Sequence, residues 1–285
     1  MGPHPGITVR RHQSELGSWE MASRAPHPSL AGQALRYAGY AEHTNVPARR
    51  LEAPFAGVVL ILSFGETLAI TDAGGRYESY GCFAAGLSDG PTYTEHDGEQ
   101  DGVQIDLTPL GARALLGMPM AELTNRVVDL RDLLGRRAEE LVERLHDAPS
   151  PEQRFLLLDA VLARRLTEAQ SPHPVLVEAW SRLHRDHGRT EIAVLAQELG
   201  WSRRHLATRF REEIGLPPKT YARVLRFERA AALLARDDGA RFAEIAYDCG
   251  YYDQAHLNRD FRQFAGTSPS DYVGRLRPNE GGVSA

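Results

Sequence analysis

Residues 245–272 read IAYDCGYYDQAHLNRDFRQFAGTSPSDY, and residues 195–221 read LAQELGWSRRHLATRFREEIGLPPKTY. Laid over one another, the two stretches are copies of one unit. Ile192, Leu195, Ala196, Gly200 and Trp201 recur 50 residues later as Phe242, Ile245, Ala246, Gly250 and Tyr251. After one inserted residue, Ser202, Leu206, Phe210, Gly215 and Pro218 recur 51 residues later as Asp253, Leu257, Phe261, Gly266 and Pro269. Apolar residues at spacings of three and four predict an amphipathic helix on each side of the first glycine of each copy. A glycine just past a helix end supplies a left-handed backbone without strain. Ser202 and Asp253 have side chains that accept an orphan N–H at the start of the next helix. Helix, glycine turn, capped helix is the helix-turn-helix layout.

In each copy the second helix is expected to bury Leu206 with Phe210, or Leu257 with Phe261, and to turn its other face outward. That face carries Arg203, Arg204, Ala207, Thr208 and Arg211 in the first copy, and Gln254, Ala255, Asn258, Arg259 and Arg262 in the second. These are the chemistries that read base edges: arginine matches guanine, glutamine or asparagine matches adenine, and alanine or threonine touches a thymine methyl. A merely solvated helix face explains any one of these residues as well, but explains two helices of the same layout poorly. Between the copies, residues 217–235 predict one long helix. Pro217 or Pro218 suits its first turn, and Tyr221, Val224, Leu225, Ala230, Leu233 and Leu234 form its apolar positions. Such a connector would hold two reading helices for adjacent major-groove segments about 34 Å apart.

Arg226, Ala230, Leu233 and Leu234, followed by residues 245–272, resemble the DNA-binding domain of the AraC/XylS-type (arabinose-regulator) family, over about residues 174–277. The resemblance implies a double helix-turn-helix regulator that binds double-stranded DNA beside a promoter, with RNA polymerase as a partner. The family's base-reading positions match Arg204, Ala207 and Thr208 in the first unit, and Gln254, Ala255 and Arg259 in the second. Tyr251 stands where phenylalanine is commoner, and Ala207 and Ala255 are short where longer side chains often read bases.

The rest of the chain is different in kind. Residues 1–175 hold 16 basic against 23 acidic side chains, and residues 176–278 hold 17 against 14, a basic module attached to an acidic one. Only Lys219 among the 33 basic residues is a lysine, so nearly every cation is a planar guanidinium suited to phosphate and guanine. The longest apolar run, residues 58–62, is too short to span a bilayer, and no signal-peptide-like run opens the chain. A cytoplasmic protein with no membrane partner is expected. Cys82 and Cys249 lie far apart without metal-type spacing, which argues against a disulfide framework or a zinc site.

Residues 8–107 alternate in the strand manner, for example over 33–40 and 57–64, with turn signals at Gly74-Gly75 and Asp89-Gly90-Pro91. From Pro109 the period becomes helical, over 110–116, 130–134, 137–145 and 151–166. The expected fold class is α+β: a β-barrel effector domain over 1–107, a helical linker and dimerisation segment over 108–170, an all-α DNA-binding domain over 174–278 and a tail over 279–285. A barrel followed by helices resembles the cupin-like effector domains of the same family, and residues 106–123, DLTPLGARALLGMPMAEL, look like the barrel-to-helix junction of uncharacterised regulators of this type.

A barrel of this size is large enough for a small-molecule effector, with Trp19, Tyr37, Tyr40, Tyr80 and Phe83 as candidate lining, beside Phe55 and Tyr77. Plain core is the commoner fate of such aromatics. Metal cupins place two histidines one residue apart with a following glutamate. His43 and His96 with Glu95 or Glu99 match this only loosely, so no metal, cofactor or catalytic residue is expected. The acidic run Glu95, Asp97, Glu99 and Asp101 reads as an exposed loop. The absence of paired catalytic carboxylates, a phosphate-cradling loop or a nucleophile elbow speaks against an enzyme. The competing readings are a metal-dependent cupin enzyme fused to a DNA-binding domain, and a ligand-free regulator whose barrel only dimerises. Leu141, Leu145, Leu156, Leu157 and Val161 form stripes that pack either on the barrel or on a second subunit, and the family resemblance favours a homodimer.

Overall fold

The computed structural model describes residues 6–15, 17–236 and 241–275, and the backbone of 283–284. The N-terminal half runs through β1 (Thr8–Ser14), β2 (Gly17–Arg24), β3 (Ala34–Thr44), β4 (Ala48–Glu52), β5 (Val58–Ser63), β6 (Leu68–Thr71), β7 (Tyr77–Tyr80), β8 (Cys82–Ala85), β9 (Thr92–His96) and β10 (Glu99–Leu107). Then follow α1 (Pro109–Leu116), β11 (Val127–Asp129), α2 (Leu130–Leu134), α3 (Arg136–Asp147) and α4 (Pro151–Glu168). The C-terminal half is α5 (Pro174–Arg185), α6 (Ile192–Glu198), α7 (Arg203–Ile214), α8 (Pro218–Leu234), α9 (Phe242–Asp248), α10 (Gln254–Ala265) and α11 (Pro269–Arg275), with a short β12 (Val283–Ser284) returning to the first half. The fold class is α+β.

The strands form two sheets, ordered β1-β2-β3-β10-β5-β8-β11 and β12-β4-β9-β6-β7, with every paired strand antiparallel. β11 lies in a region whose periodicity predicts helix. Its three residues pair with β8 as Val127↔Ala85, Val128↔Ala84 and Asp129↔Phe83, too short a strand to leave a period-2 signal. The acidic run is a hairpin rather than a loop: Glu95 stands on β9, Glu99 and Asp101 on β10, and alternation turns these three away from buried His96 and Gln100.

The first sheet carries buried apolar residues on both faces. Ile61, Phe83 and Val127 meet Ile70 and Tyr80 of the second sheet. The other face, with Leu60, Leu62, Ile105 and Tyr37, lies beneath α1 and α4. Tyr37 is fully buried there: its hydroxyl donates to Asp159 Oδ1 (3.1 Å) and its ring lies 5.8 Å from that of Phe155 on α4. Arg24 seals this seam with an ion pair to Asp159 and a hydrogen bond to the Phe155 carbonyl (3.0 Å). On α3 and α4, Leu145 is buried in the core, Leu141, Leu157 and Val161 are half-buried, and Leu156 is exposed.

The two halves are docked. Trp180 Nε1 of α5 donates to the Tyr221 hydroxyl of α8 (2.8 Å), which donates on to the Ala56 carbonyl before β5 (3.0 Å). Thr124 Oγ1 donates to the Gly215 carbonyl after α7 (2.7 Å), Arg113 of α1 pairs with Glu213 of α7, and Gln263 Nε2 of α10 donates to the Asp89 carbonyl (3.3 Å). No helix among the described residues is long and apolar enough to cross a membrane.

Candidate nucleic-acid interface

The two repeats fold alike, atom for atom where it matters. After α6, the Gly200 N–H donates to the Gln197 carbonyl (3.1 Å) and the Trp201 N–H to the Ala196 carbonyl (2.9 Å). After α9, Gly250 donates to Tyr247 (3.0 Å) and Tyr251 to Ala246 (2.9 Å). This paired pattern closes a helix only when the residue past its end is left-handed, and Gly200 (φ 71°) and Gly250 (φ 78°) both are. The chain then restarts: the Ser202 side chain accepts the His205 N–H, and the Asp253 side chain accepts the His256 N–H. Both caps and both glycines are those the sequence predicts.

A brace repeats with them. Trp201 meets the His205 ring edge-on at 4.4 Å, and Tyr251 meets His256 edge-on at 5.2 Å. Each pair fastens the turn to the first helical turn beyond it. Burial lowers the pKa of His256 more than nearby Asp260 raises it. Sequence reasoning missed these histidines, although their 51-residue spacing was visible beside the other repeats.

α7 and α10 bury the expected stripes, Leu206 with Phe210 and Leu257 with Phe261, all fully buried. The opposite faces are open: Arg203, Arg204, Thr208 and Arg211 on α7, and Gln254, Ala255, Arg259 and Arg262 on α10, are exposed, with Ala207 and Asn258 half-buried. Arg203, Arg204, Arg211 and Arg262 make no ion pair or hydrogen bond with any described residue, and Arg259 touches only the Ala255 carbonyl of its own helix (3.4 Å). Their neighbours contrast with them. Arg209 pairs with Glu212 (2.6 Å) and Glu213 (3.3 Å), and Arg223 on α8 grips buried Asp260 on α10 through Nη2 (2.6 Å) and Nε (3.1 Å). Arginines with structural work thus point inward or along the helix, whereas those on the outward faces of α7 and α10 carry charge that is not neutralised.

α8 fixes the second unit to the first. Besides Arg223, Arg226 donates to the Gly188 carbonyl (2.7 Å), and its guanidinium lies 5.7 Å from the Tyr251 ring centroid. Arg189 reaches across to the Asp248 carbonyl. The contacts with the N-terminal half fall on the C-terminal ends of α7 and α10, at Glu213, Gly215 and Gln263, away from the capped ends that carry the first reading residues.

The candidate effector aromatics are not brought together. Trp19 and Tyr40 lie on the face of the first sheet that is turned away from α4, and Tyr80 and Phe83 pack at 5.9 Å further along the barrel. Tyr37 is on the opposite face of β3 from Tyr40, occupied by Asp159, and Tyr77 is 64% exposed. Around Glu42 and His96 the barrel interior is instead polar. Arg50 and Glu42 form a two-pronged ion pair, and buried His96 stands 3.8 Å from Glu42. Both His96 ring nitrogens, Gln100 Nε2 and Trp19 Nε1 are buried without a protein hydrogen-bond partner. Burial lowers the His96 pKa more than nearby Glu42 raises it. No group of three or more metal-ligating side chains occurs among the described residues.

Comparison with known proteins finds similarity in the C-terminal part of the chain. Residues 195–275 match the model of a helix-turn-helix domain. An AraC-like transcription regulator of Streptomyces lividans is 38% identical over 100 residues, covering 35% of this chain and 33% of that protein. The transcriptional activator RhaS of Escherichia coli is 30% identical over 150 residues, covering 50% of this chain and 52% of its own. The chain thus spans about a quarter to a half of the length of the curated relatives it matches. Among solved structures, apo ToxT K231A of Vibrio cholerae aligns over 89% of this chain and all of its own, at 13% identity and a TM-score of 0.48.

Proposed function

We propose that the protein is a sequence-specific, DNA-binding transcription regulator whose N-terminal half takes a small-molecule effector, a reading supported by the helix-turn-helix match over residues 195–275 and by the similarity to AraC-like regulators. One observation carries the DNA half. Two helices with the same glycine turn, cap and buried stripe each present unpaired guanidinium groups to solvent, among them Arg204 and Arg259. On α7, Arg203, Arg204, Thr208 and Arg211 supply base and phosphate contacts; on α10, Gln254, Asn258, Arg259 and Arg262 do so. Ala207 and Ala255 are small enough to lie against a thymine methyl. The working units are residues 1–107, 108–170 and 174–278. Action beside RNA polymerase in the bacterial cytoplasm, as a homodimer, extends the same reading.

The unpartnered His96, Gln100 and Trp19 atoms support the effector half. Each buried unpaired polar group costs about 1–3 kcal/mol, so the barrel interior favours a hydrogen-bonding guest over an apolar one. An effector acts only through its differential affinity for two arrangements of the protein, so it must alter DNA affinity and DNA must reciprocally alter effector affinity.

The test selects bound sequences from a random DNA pool with the full chain, then repeats the selection with candidate polar metabolites. Arg204→Ala and Arg259→Ala should each weaken the selected site by about 1–3 kcal/mol and relax one base position. Unchanged binding by both variants would remove α7 and α10 as the reading helices.

A further inference from the structure

A cleft of about 330 Å³ lies outside the barrel, on the far side of the first sheet from the His96 interior. Buried Leu62 and Ile105 underlie it, and its accessible apolar surface comes from half-buried Leu134, Leu141 and Val161. Its walls are α3 and α4, which part from a short connection at residues 148–150, where Arg154 Nε donates to the Leu145 carbonyl (3.0 Å). Leu141 stands on the α3 wall and Val161 on the α4 wall. The lip is different: Arg137 and Arg144 project from α3, and half-buried Arg165 from α4. These three guanidinium groups make no ion pair with any described residue, although acidic side chains stand in the same lining. Glu168 there is engaged by Arg164 (3.6 Å), which leaves only Glu140 to set against the three cations.

An apolar trough under a surplus of forked cations is complementary to one kind of molecule, an apolar body ending in an anion. We propose that this cleft binds an amphipathic carboxylate, its chain or ring against half-buried Leu134, Leu141 and Val161 and its carboxylate held by the α3 and α4 arginines. Arg144 and Arg165 face the site from opposite walls, so the bound carboxylate ties two helices that otherwise diverge. The site is separate from the barrel interior, and its occupancy is measured without DNA, so its failure leaves the effector reading of the barrel standing.

The test titrates the full chain with decanoate and, in parallel, with decanol by calorimetry. Decanoate should bind saturably at one per chain and at least tenfold more tightly than decanol. Arg144→Gln with Arg165→Gln should weaken decanoate at least tenfold and leave decanol within twofold. Val161→Trp, which fills the cleft from α4, should abolish decanoate binding, with an unchanged circular dichroism spectrum as the folding control. Four results overturn the proposal: no decanoate binding, equal affinity for decanol, undiminished decanoate binding in Val161→Trp, or no decanoate binding in a chain whose self-association Val161→Trp abolishes. The last assigns the cleft to a second copy of the chain.

Discussion

The grip of α8 on α10 makes an asymmetric prediction. Asp260 is 1% exposed and Arg223 24% exposed, and the arginine places Nε and Nη2 on a single carboxylate oxygen, Oδ1. The guanidinium also bonds Gln263 Oε1 (2.7 Å) and stands 5.0 Å from the Phe264 ring centroid. Arg223→Ala strands a buried carboxylate whose Oδ2 already lacks a partner, so it should cost about 3–5 kcal/mol. Asp260→Ala leaves an arginine that keeps Gln263 and the ring and reaches water, and should cost only about 1–2 kcal/mol. Replacing both at once, Arg223→Met with Asp260→Leu, removes the stranded charge and should cost less than Arg223→Ala alone. Urea unfolding of the four proteins followed by circular dichroism reads these differences, and DNA binding reads the accompanying loss of α10 placement. An Arg223→Ala variant no less stable than Asp260→Ala would refute the reasoning, because the asymmetry follows directly from the unequal burial of the two partners.

Gly200→Ala and Gly250→Ala should each lower stability by about 1–2 kcal/mol through left-handed strain, seen as a lower thermal midpoint. The second should be worse, since the new Cβ would sit 3.0 Å from Arg189 Cγ. Ser202→Ala and Asp253→Ala should each cost about 1 kcal/mol in urea by removing a side-chain cap. Desolvation pushes Glu228 of α8 up to about 7, against a partly compensating hydrogen bond from the Ala56 backbone. The folded protein therefore holds this proton after an unfolded chain, with a carboxyl near 4.3, has released it, and stability from this group falls as pH rises between about 4.5 and 7. The stability advantage of Glu228→Gln over the wild type should grow across that window, and a constant difference from pH 5 to 8 would refute the assignment.

What could be read from the sequence was local chemistry. A left-handed glycine, a cap and an apolar stripe are each decided within a few residues, and in the repeats each was written twice, so the turns after α6 and α9 and the starts of α7 and α10 were legible apart from their histidine braces. The seams were not. Tyr221 belongs to the apolar stripe of α8 whether its hydroxyl meets Ala56 or nothing, because periodicity reports burial and not the distant group that completes it. Tyr37 failed as an effector contact for a related reason. Alternation sorts β3 into two faces, but helices cover one and the second sheet covers the other, so both faces carry buried aromatic and small residues and the pattern cannot say which looks into the barrel. The polar interior was hidden because Glu42, His96 and Gln100 come from three strands that pair across long stretches of chain.

The twin turns also separate scaffolding from vocabulary. Each reading helix is seated by a glycine, a capping side chain, an aromatic–histidine brace and two buried apolar residues, while its outward residues take part in none of these. The outward residues are therefore interchangeable in the manner of a cassette. Transplanting Gln254, Ala255, Asn258 and Arg259 onto the corresponding outward positions of α7 should move one half-site's preference to the other without reshaping either domain.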